Sequence, residues 1–236
     1  MTALLCLCGL SSAETLRLKP AEAAYRVVIS GVPVGMEALI SLGLETDGRY
    51  LLAFNIDHAL LKHEEVSRFR WHNCSARPEQ YHYRSSGFGI RRGGTVTFDW
   101  PALSADGDTP YPLTPDSVDA MTLAMISRCY LAAGVTEFEF KVAEPAGLRL
   151  FRYRVVGEET LETPAGVFDT IKVERLYNSR RRTFMWAARD LEFFMVRMDH
   201  IENALVRGRI EMTRFSWGQP ALITEARQTP ATTAND

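Results

Sequence analysis

The chain of 236 residues is long enough for one large β domain or two small ones. Its composition, 46% hydrophobic and 24% charged, is close to that of an average soluble globular protein, and such a chain can bury a core without the help of metal ions or disulfides. The formal net charge of −2 argues against a dedicated nucleic-acid binder, which would carry a basic surface. We therefore expect no nucleic-acid partner.

The N-terminus has the pattern of a secretory signal peptide. An apolar run from Ala3 to Leu10 precedes the small residues Ser11–Ala13, which predicts cleavage after Ala13 and export to the periplasm. No Lys or Arg precedes the run, so a buried N-terminal strand or helix is the alternative interpretation. The run is far shorter than the roughly 20 residues that span a bilayer. No other segment reaches that length, and we expect no transmembrane segment in the mature chain.

Most of the chain alternates between apolar and polar residues, which is typical of strands with one buried face. The pattern predicts about ten strands. The segments that carry it include YRVVIS, MEALISLGLE, RYLLAF, EQYHYRSS, GGTVTFDW, TEFEFKV, LRLFRYRVV, GVFDTIKVE, RRTFMWAA, FFMVRMDH and GRIEMTRFSW. Turns are predicted at Gly31–Gly35, Asp47–Gly48, Arg91–Gly94 and Thr163–Gly166, from their Gly, Pro and Asp content.

One segment, LTPDSVDAMTLAMISRCYLAAG, follows a helical period instead. Thr114 is a candidate N-cap, Pro115 suits the first helical position, and Gly134 stands where a C-terminal cap is expected. These features predict a helix over about residues 115–133.

The predicted fold is therefore mainly β. We expect a single antiparallel β-barrel-like or strongly curved sheet, with the one helix capping it or packing on it. The domain is predicted over residues 14–217, after a signal peptide at 1–13. Residues 218–236 lose the alternation and predict a mostly disordered tail.

Five motifs stand in a familiar order: GVPVG, FDW, TPDSVDAMTLAM, VVGEETLETPAGVFDTIKVE and MWAARDLEFFMVRM. Together they resemble the bacterial family of exported proteins known as domain of unknown function DUF3108. The resemblance covers about residues 20–217. It implies an exported, periplasmic protein with a barrel-like β fold, and it implies no catalytic residues.

The cysteines leave two alternatives open. Cys6 and Cys8 lie in the predicted signal peptide, so the mature chain keeps Cys74 and Cys129. In an oxidising compartment this pair could form a disulfide. Alternatively, the two residues are separate buried thiols that behave as small apolar side chains.

The sequence contains no recognisable catalytic or metal-binding motif. It lacks G-x-S-x-G, H-E-x-x-H and a glycine-rich phosphate loop. His58 and His63, beside Glu64 and Glu65, form the densest metal-like group, but their spacing places the two histidines on opposite faces of a strand. We favour a solvated loop there, and we expect no metal and no cofactor.

Several strands are apolar on both faces, which fits either a filled barrel that docks onto a partner or a lined cavity. We expect a cavity for a lipid-like or other apolar ligand. The candidate lining residues are Trp100, Trp186, Tyr153 and Phe98. Candidates for contact with an anionic group, such as lipid phosphate, are the turn arginines Arg91, Arg92, Arg181 and Arg182.

The sequence thus favours a non-enzymatic ligand-binding module of the cell envelope. The alternative is a protein–protein scaffold, in which the second apolar face docks onto an envelope protein. A hydrolase is the third hypothesis, and it requires Asp99, Glu158 and a histidine to converge on one cleft.

Overall fold

The computed structural model describes residues 18–87, 89–177, 179–203 and 206–220. The predicted signal peptide and the tail from residue 221 lie outside the described residues. Within the described ranges, no helix has the length and apolar character that crossing a membrane requires.

Fifteen strands among the described residues form one sheet. The strands are β1 Ala21–Ile29, β2 Val32–Leu44, β3 Tyr50–His58, β4 Leu61–His72, β5 Ser75–Gly87, β6 Ile90–Asp99, β7 Ser104–Asp106, β8 Pro110–Pro112, β9 Val118–Asp119, β10 Glu137–Glu144, β11 Gly147–Thr163, β12 Gly166–Leu176, β13 Arg182–Ala188, β14 Phe194–Ile201 and β15 Arg207–Trp217. Their spatial order is β8-β7-β6-β5-β4-β3-β2-β1-β15-β14-β13-β12-β11-β10-β9. Every pairing is antiparallel except that of β9 with β10. The predicted fold class, mainly β with one helix, is confirmed.

The sheet curls into a barrel-like shape without closing through edge-strand pairing. Its two ends meet instead through single hydrogen bonds. The Asp108 N–H donates to the Pro145 carbonyl over 2.7 Å, and the Tyr111 hydroxyl donates to the Glu144 carbonyl over 2.8 Å. These bonds hold β8 against the turn between β10 and β11.

The helix, α1, spans Thr122–Ala132, so the predicted start at Pro115 is wrong. Residues 118 and 119 pair with β10 instead, and the Asp119 carboxylate accepts the first free N–H groups of the helix. The predicted end is right, because Gly134 adopts a φ of +73°. Its N–H donates to the Leu131 carbonyl, as a helix C-terminal cap requires.

Two of the four predicted turns lie where the sequence places them. Asp47–Gly48 joins β2 to β3, and the TPAG segment joins β11 to β12 through the pair Thr163 and Gly166. The turn predicted at Arg91–Gly94 is wrong, because these residues lie within β6. The bend predicted at Gly31–Gly35 is also displaced, since β2 begins at Val32 and includes Pro33.

The strand β4 is a further departure from the sequence prediction of a solvated loop around His58 and His63. His58 ends β3, a two-residue turn follows, and His63 lies in β4. The sequence did not predict β4 because polar side chains interrupt its apolar alternation. One of them, Ser67, is nevertheless fully buried, and its hydroxyl donates to the Asp119 carboxylate. Burial of this serine depends on a partner distant in sequence.

Candidate functional site

A cavity of about 280 Å³ lies between the concave face of the sheet and helix α1. Strands β2–β4 line one side of it, and residues of β10–β15 line the other. Its volume is close to the lower end of the range of roughly 300–1,000 Å³ that small-molecule pockets occupy.

The cavity wall is mostly apolar and rich in flexible side chains. Five of the eight methionines of the chain and four phenylalanines line it. They are Met121, Met125, Met185, Met195, Met198, Phe54, Phe138, Phe193 and Phe194. Methionine adapts its shape to irregular apolar surfaces, so this wall can accommodate ligands of varied form.

Helix α1 is held over the cavity by a disulfide and by Arg128. Cys129 of the helix is bonded to Cys74 in the β4–β5 turn, with the Cα atoms 6.0 Å apart. The Arg128 guanidinium donates through Nε to the Glu192 carbonyl over 2.8 Å and lies 3.3 Å from the Glu192 carboxylate. Burial lowers the pKa of Arg128 to about 10, while Glu192 opposes the shift, so the guanidinium is charged at neutral pH.

The start of α1 is fixed by Asp119, which is fully buried. Its carboxylate accepts hydrogen bonds from the Ser67 hydroxyl and from the N–H groups of Met121 and Thr122. Burial raises the pKa of Asp119 to about 6, against the lowering effect of these hydrogen bonds. The sequence held a signal for this cap, because an Asp precedes Thr122 by three residues just before an apolar run.

Glu65 of β4 is a further polar group at the cavity. Its carboxylate accepts a hydrogen bond of 2.6 Å from the Tyr81 hydroxyl and lies 3.5 Å from Nε2 of His63. The Glu65 carboxylate therefore already has partners within the protein.

Of the four predicted lining residues, the structure places Tyr153 on the cavity. Trp100 and Phe98 belong to another apolar cluster, and their rings stack at 5.8 Å. Trp100 also donates from Nε1 to the Pro78 carbonyl over 2.6 Å. The aromatic residues of the FDW motif thus pack β6 against β5.

Trp186 lies in a polar network together with charged side chains of neighbouring strands. Its ring is flanked by Lys172 at 4.6 Å and by Arg197 at 4.5 Å, and its Nε1 donates to the Glu159 carboxylate. That hydrogen bond is the main reason why the pKa of Glu159 is lowered. Trp186 is buried, but it does not line the cavity.

The four arginines predicted at turns lie on one rim of the barrel-like sheet, although Arg91, Arg92 and Arg182 belong to strands. In an antiparallel sheet of this order, the same ends of the strands carry the turns β1–β2, β3–β4, β5–β6, β12–β13 and β14–β15. We call this end of the barrel-like sheet the basic rim. Arg91 and Arg92 are exposed there, whereas Arg181 pairs with Glu202 and Arg182 with Glu174. Helix α1 is attached at the opposite end of the barrel-like sheet, through the disulfide to the β4–β5 turn and the Arg128 contacts to the β13–β14 turn.

The hydrolase candidates do not converge within the described residues. Asp99 accepts the N–H of Ala102 over 3.0 Å, and Glu158 pairs with Arg189. Neither contacts a histidine in the described ranges, where no cluster of His, Cys, Asp and Glu suited to a metal ion occurs either.

A family model described as protein of unknown function, DUF3108, matches residues 18–213. The chain belongs to the DUF3108 family. The match covers the whole sheet up to the last strand and includes helix α1 and both cysteines of the disulfide. No curated protein matches this DUF3108 chain.

Two solved structures align with the DUF3108 chain over most of its length. A beta-barrel-like protein of domain of unknown function DUF1849 from Brucella abortus aligns with a TM-score of 0.56 and 8% identity, over 86% of this chain and 99% of that one. A candidate lipoprotein of Parabacteroides distasonis aligns with a TM-score of 0.34 and 9% identity, over 84% and 96% of the two chains. The first supports the barrel-like architecture.

Most residues that line the cavity in this DUF3108 chain could not be recognised from the sequence. Arg175 is the clearest case, since it continues the face of β12 that carries Ile171 and Val173. A charged residue that follows two buried apolar residues on the same face was a signal for a polar group inside the barrel.

Proposed function

We propose that this protein is an exported, non-enzymatic module of the cell envelope that binds a lipid-like or other apolar ligand. The ligand occupies the cavity between the sheet and helix α1. The observation that carries the proposal is the methionine- and phenylalanine-rich wall, because an apolar cavity with few polar groups favours an apolar guest.

Two features support the export of this protein. The first is the apolar N-terminal run followed by Ser11–Ala13, which has the pattern of a cleaved signal peptide. The second is the bond between Cys74 and Cys129, since disulfides persist in oxidising compartments.

The basic rim supports a place beside a lipid surface. It exposes the large apolar side chains of Val32, Leu60, Ile90 and Val206. The exposed arginines Arg91, Arg92, Arg180 and Arg207 flank them, beside Arg181 and Arg182, which form ion pairs with glutamates. Exposed apolar tips among cations are suited to contact with the headgroups of an anionic membrane.

A substitution that fills the cavity tests the proposed function. Ala124 and Ala132 of helix α1 are both exposed, but of the two only Ala124 lines the cavity. We expect Ala124→Phe to weaken binding of a fluorescent apolar probe by about tenfold or more, because the ring takes up ligand volume. Ala132→Phe is the matched control and should leave binding unchanged. Fluorescence titration of the purified protein measures both.

Mass spectrometry of lipids extracted from the protein, purified from its native envelope, provides a second test. We expect a stoichiometric apolar compound in the wild type and a reduced amount in Ala124→Phe. A wild-type protein that carries no such compound and binds no apolar probe contradicts the proposed function.

A further inference from the structure

Arg175 is an unusual arginine in this structure. It lines the cavity from β12 and is half-buried. Its guanidinium carbon lies 3.4 Å from the ring centre of Phe151 and 4.6 Å from that of Tyr177. These rings hold the group in place, and within the described ranges no carboxylate pairs with it.

Other buried or half-buried arginines of the described chain have a carboxylate partner within ion-pair distance. They are Arg49, Arg68, Arg128, Arg197 and Arg209. The remaining unpaired arginines of the described ranges are exposed at the surface. Arg175 is half-buried, lines an apolar cavity and has no carboxylate partner among the described residues. Such a cation favours binding of an anion, because a partly desolvated charge is stabilised by a counter-ion.

Tyr153 is the direct cross-strand partner of Arg175, on β11. It is only 5% exposed, yet its hydroxyl forms no hydrogen bond to any described residue. The other buried tyrosines do: Tyr25 donates to the Met195 carbonyl and Tyr81 to the Glu65 carboxylate. The Tyr153 hydroxyl is not a fully enclosed atom, and because Tyr153 lines the cavity, a ligand there can supply the hydrogen-bond partner that a tyrosine hydroxyl normally has.

The two groups are also electrostatically coupled. Burial raises the pKa of Tyr153 well above its usual range, and the positive charge of Arg175 opposes that shift. The wall thus presents a fixed cation and a hydroxyl donor side by side.

We propose that Arg175 and Tyr153 bind the anionic head group of a single-chain amphiphile whose chain fills the cavity. This inference rests on the proposed function and names the chemistry of the ligand. A carboxylate and a phosphate both accept from a guanidinium and a hydroxyl, so the shared feature is an anion on an alkyl chain. The cavity of about 280 Å³ suits one chain better than the two chains of a phospholipid.

The test compares three probes that share one chain: decanoate, decyl phosphate and decanol. Calorimetric titration of the full-length mature protein should show at least one anion binding about tenfold or more tightly than decanol. Arg175→Met should abolish this preference and leave decanol binding within about threefold, because methionine fits between the two rings. Tyr153→Phe should reduce the preference by about threefold to tenfold.

The matched control is Arg77→Met in β5, which removes an exposed cation that stacks on Trp100, away from the cavity and from the basic rim, and pairs with no carboxylate of the described residues. It should alter none of the three affinities. Thermal melts establish that each variant is folded, and Arg175→Lys replaces Arg175→Met should the latter unfold. The lysine variant keeps the charge, so it should retain part of the preference for the anion.

The outcomes separate this inference from the proposed function. If wild type binds all three probes equally, or if Arg175→Met weakens all three to the same extent, the anion site is overturned while the apolar cavity stands. If wild type binds none of the probes, the proposed function fails as well. The anion that binds more tightly identifies the head group.

Discussion

The Asp119 carboxyl is a buried acid that makes the stability of the fold depend on pH. Its pKa rises from the ordinary value of 3.8 to about 6 on folding, mainly because burial penalises the ionised form. Between these values the folded protein holds a proton that the unfolded chain has released. The contribution of this group is therefore fully present below about pH 4 and is lost as the pH rises from about 4 to about 6.

We expect Asp119→Asn to remove this pH dependence, because an amide stays neutral and can still accept the N–H groups of Met121 and Thr122. The free energy of unfolding of wild type, relative to the variant, should fall by about 2 kcal/mol between pH 4 and pH 7. Urea unfolding at several pH values measures the difference. A difference that stays constant over this range would mean that Asp119 has a normal pKa.

Asp116 provides the control for this experiment. It lies three residues away, and a hydrogen bond from Thr114 lowers its pKa. For Asp116→Asn the sign is reversed, so wild type should gain stability over the variant as the pH rises through the acid range. The two aspartates therefore give opposite slopes of stability against pH, because burial raises the pKa of Asp119 and hydrogen bonding lowers that of Asp116.

At the scale of the element, helix α1 depends on its disulfide. Cys74 and Cys129 are 55 residues apart, and a cross-link over such a loop stabilises a fold by about 4 kcal/mol in the chain-entropy treatment. We expect the double variant Cys74→Ala/Cys129→Ala to lose about that amount in urea unfolding. Amide hydrogen exchange should accelerate more in α1 than in the paired strands β1 and β15.

Reduction provides the control for the cysteine variant. Wild type treated with dithiothreitol should unfold at the urea concentration of the double variant, and the double variant should not respond to the reductant. If the reductant leaves wild type unchanged although free thiols are detected, the disulfide does not stabilise helix α1.

At the scale of the whole molecule, the open sheet is held in a barrel-like shape where its two ends meet. A Cβ added at Gly107 would lie 2.3 Å from the carbonyl oxygen of Pro145, which accepts the N–H of Asp108. We expect Gly107→Ala to lower the free energy of unfolding by about 1–3 kcal/mol, because the backbone must shift. Equilibrium urea unfolding measures this loss.

Gly157→Ala in β11 is the matched substitution, since a Cβ there meets no atom within 4 Å. It should be neutral or stabilising by up to about 1 kcal/mol, as alanine restricts the unfolded chain. Equal effects of the two substitutions would show that contact between the sheet ends contributes little to the fold.

The sequence by itself determined the local features of this protein. Alternation along segments such as TEFEFKV predicted strands, since a strand exposes one face and buries the other. Local residue preferences also predicted the turns at Asp47–Gly48 and Thr163–Gly166 and the end of the helix at Gly134. Each depends on the conformational preferences of a few adjacent residues.

The tertiary structure decided where the helix begins, whether β4 pairs and which apolar residues enclose the cavity. Asp119 caps α1 and bonds to Ser67, which lies 52 residues earlier, so neither role could be assigned from neighbouring residues. Trp186 and Met185 are equally apolar in the sequence, yet only Met185 lines the cavity. A period of two separates the faces of a strand, but only the curvature of the sheet determines which face becomes the inside.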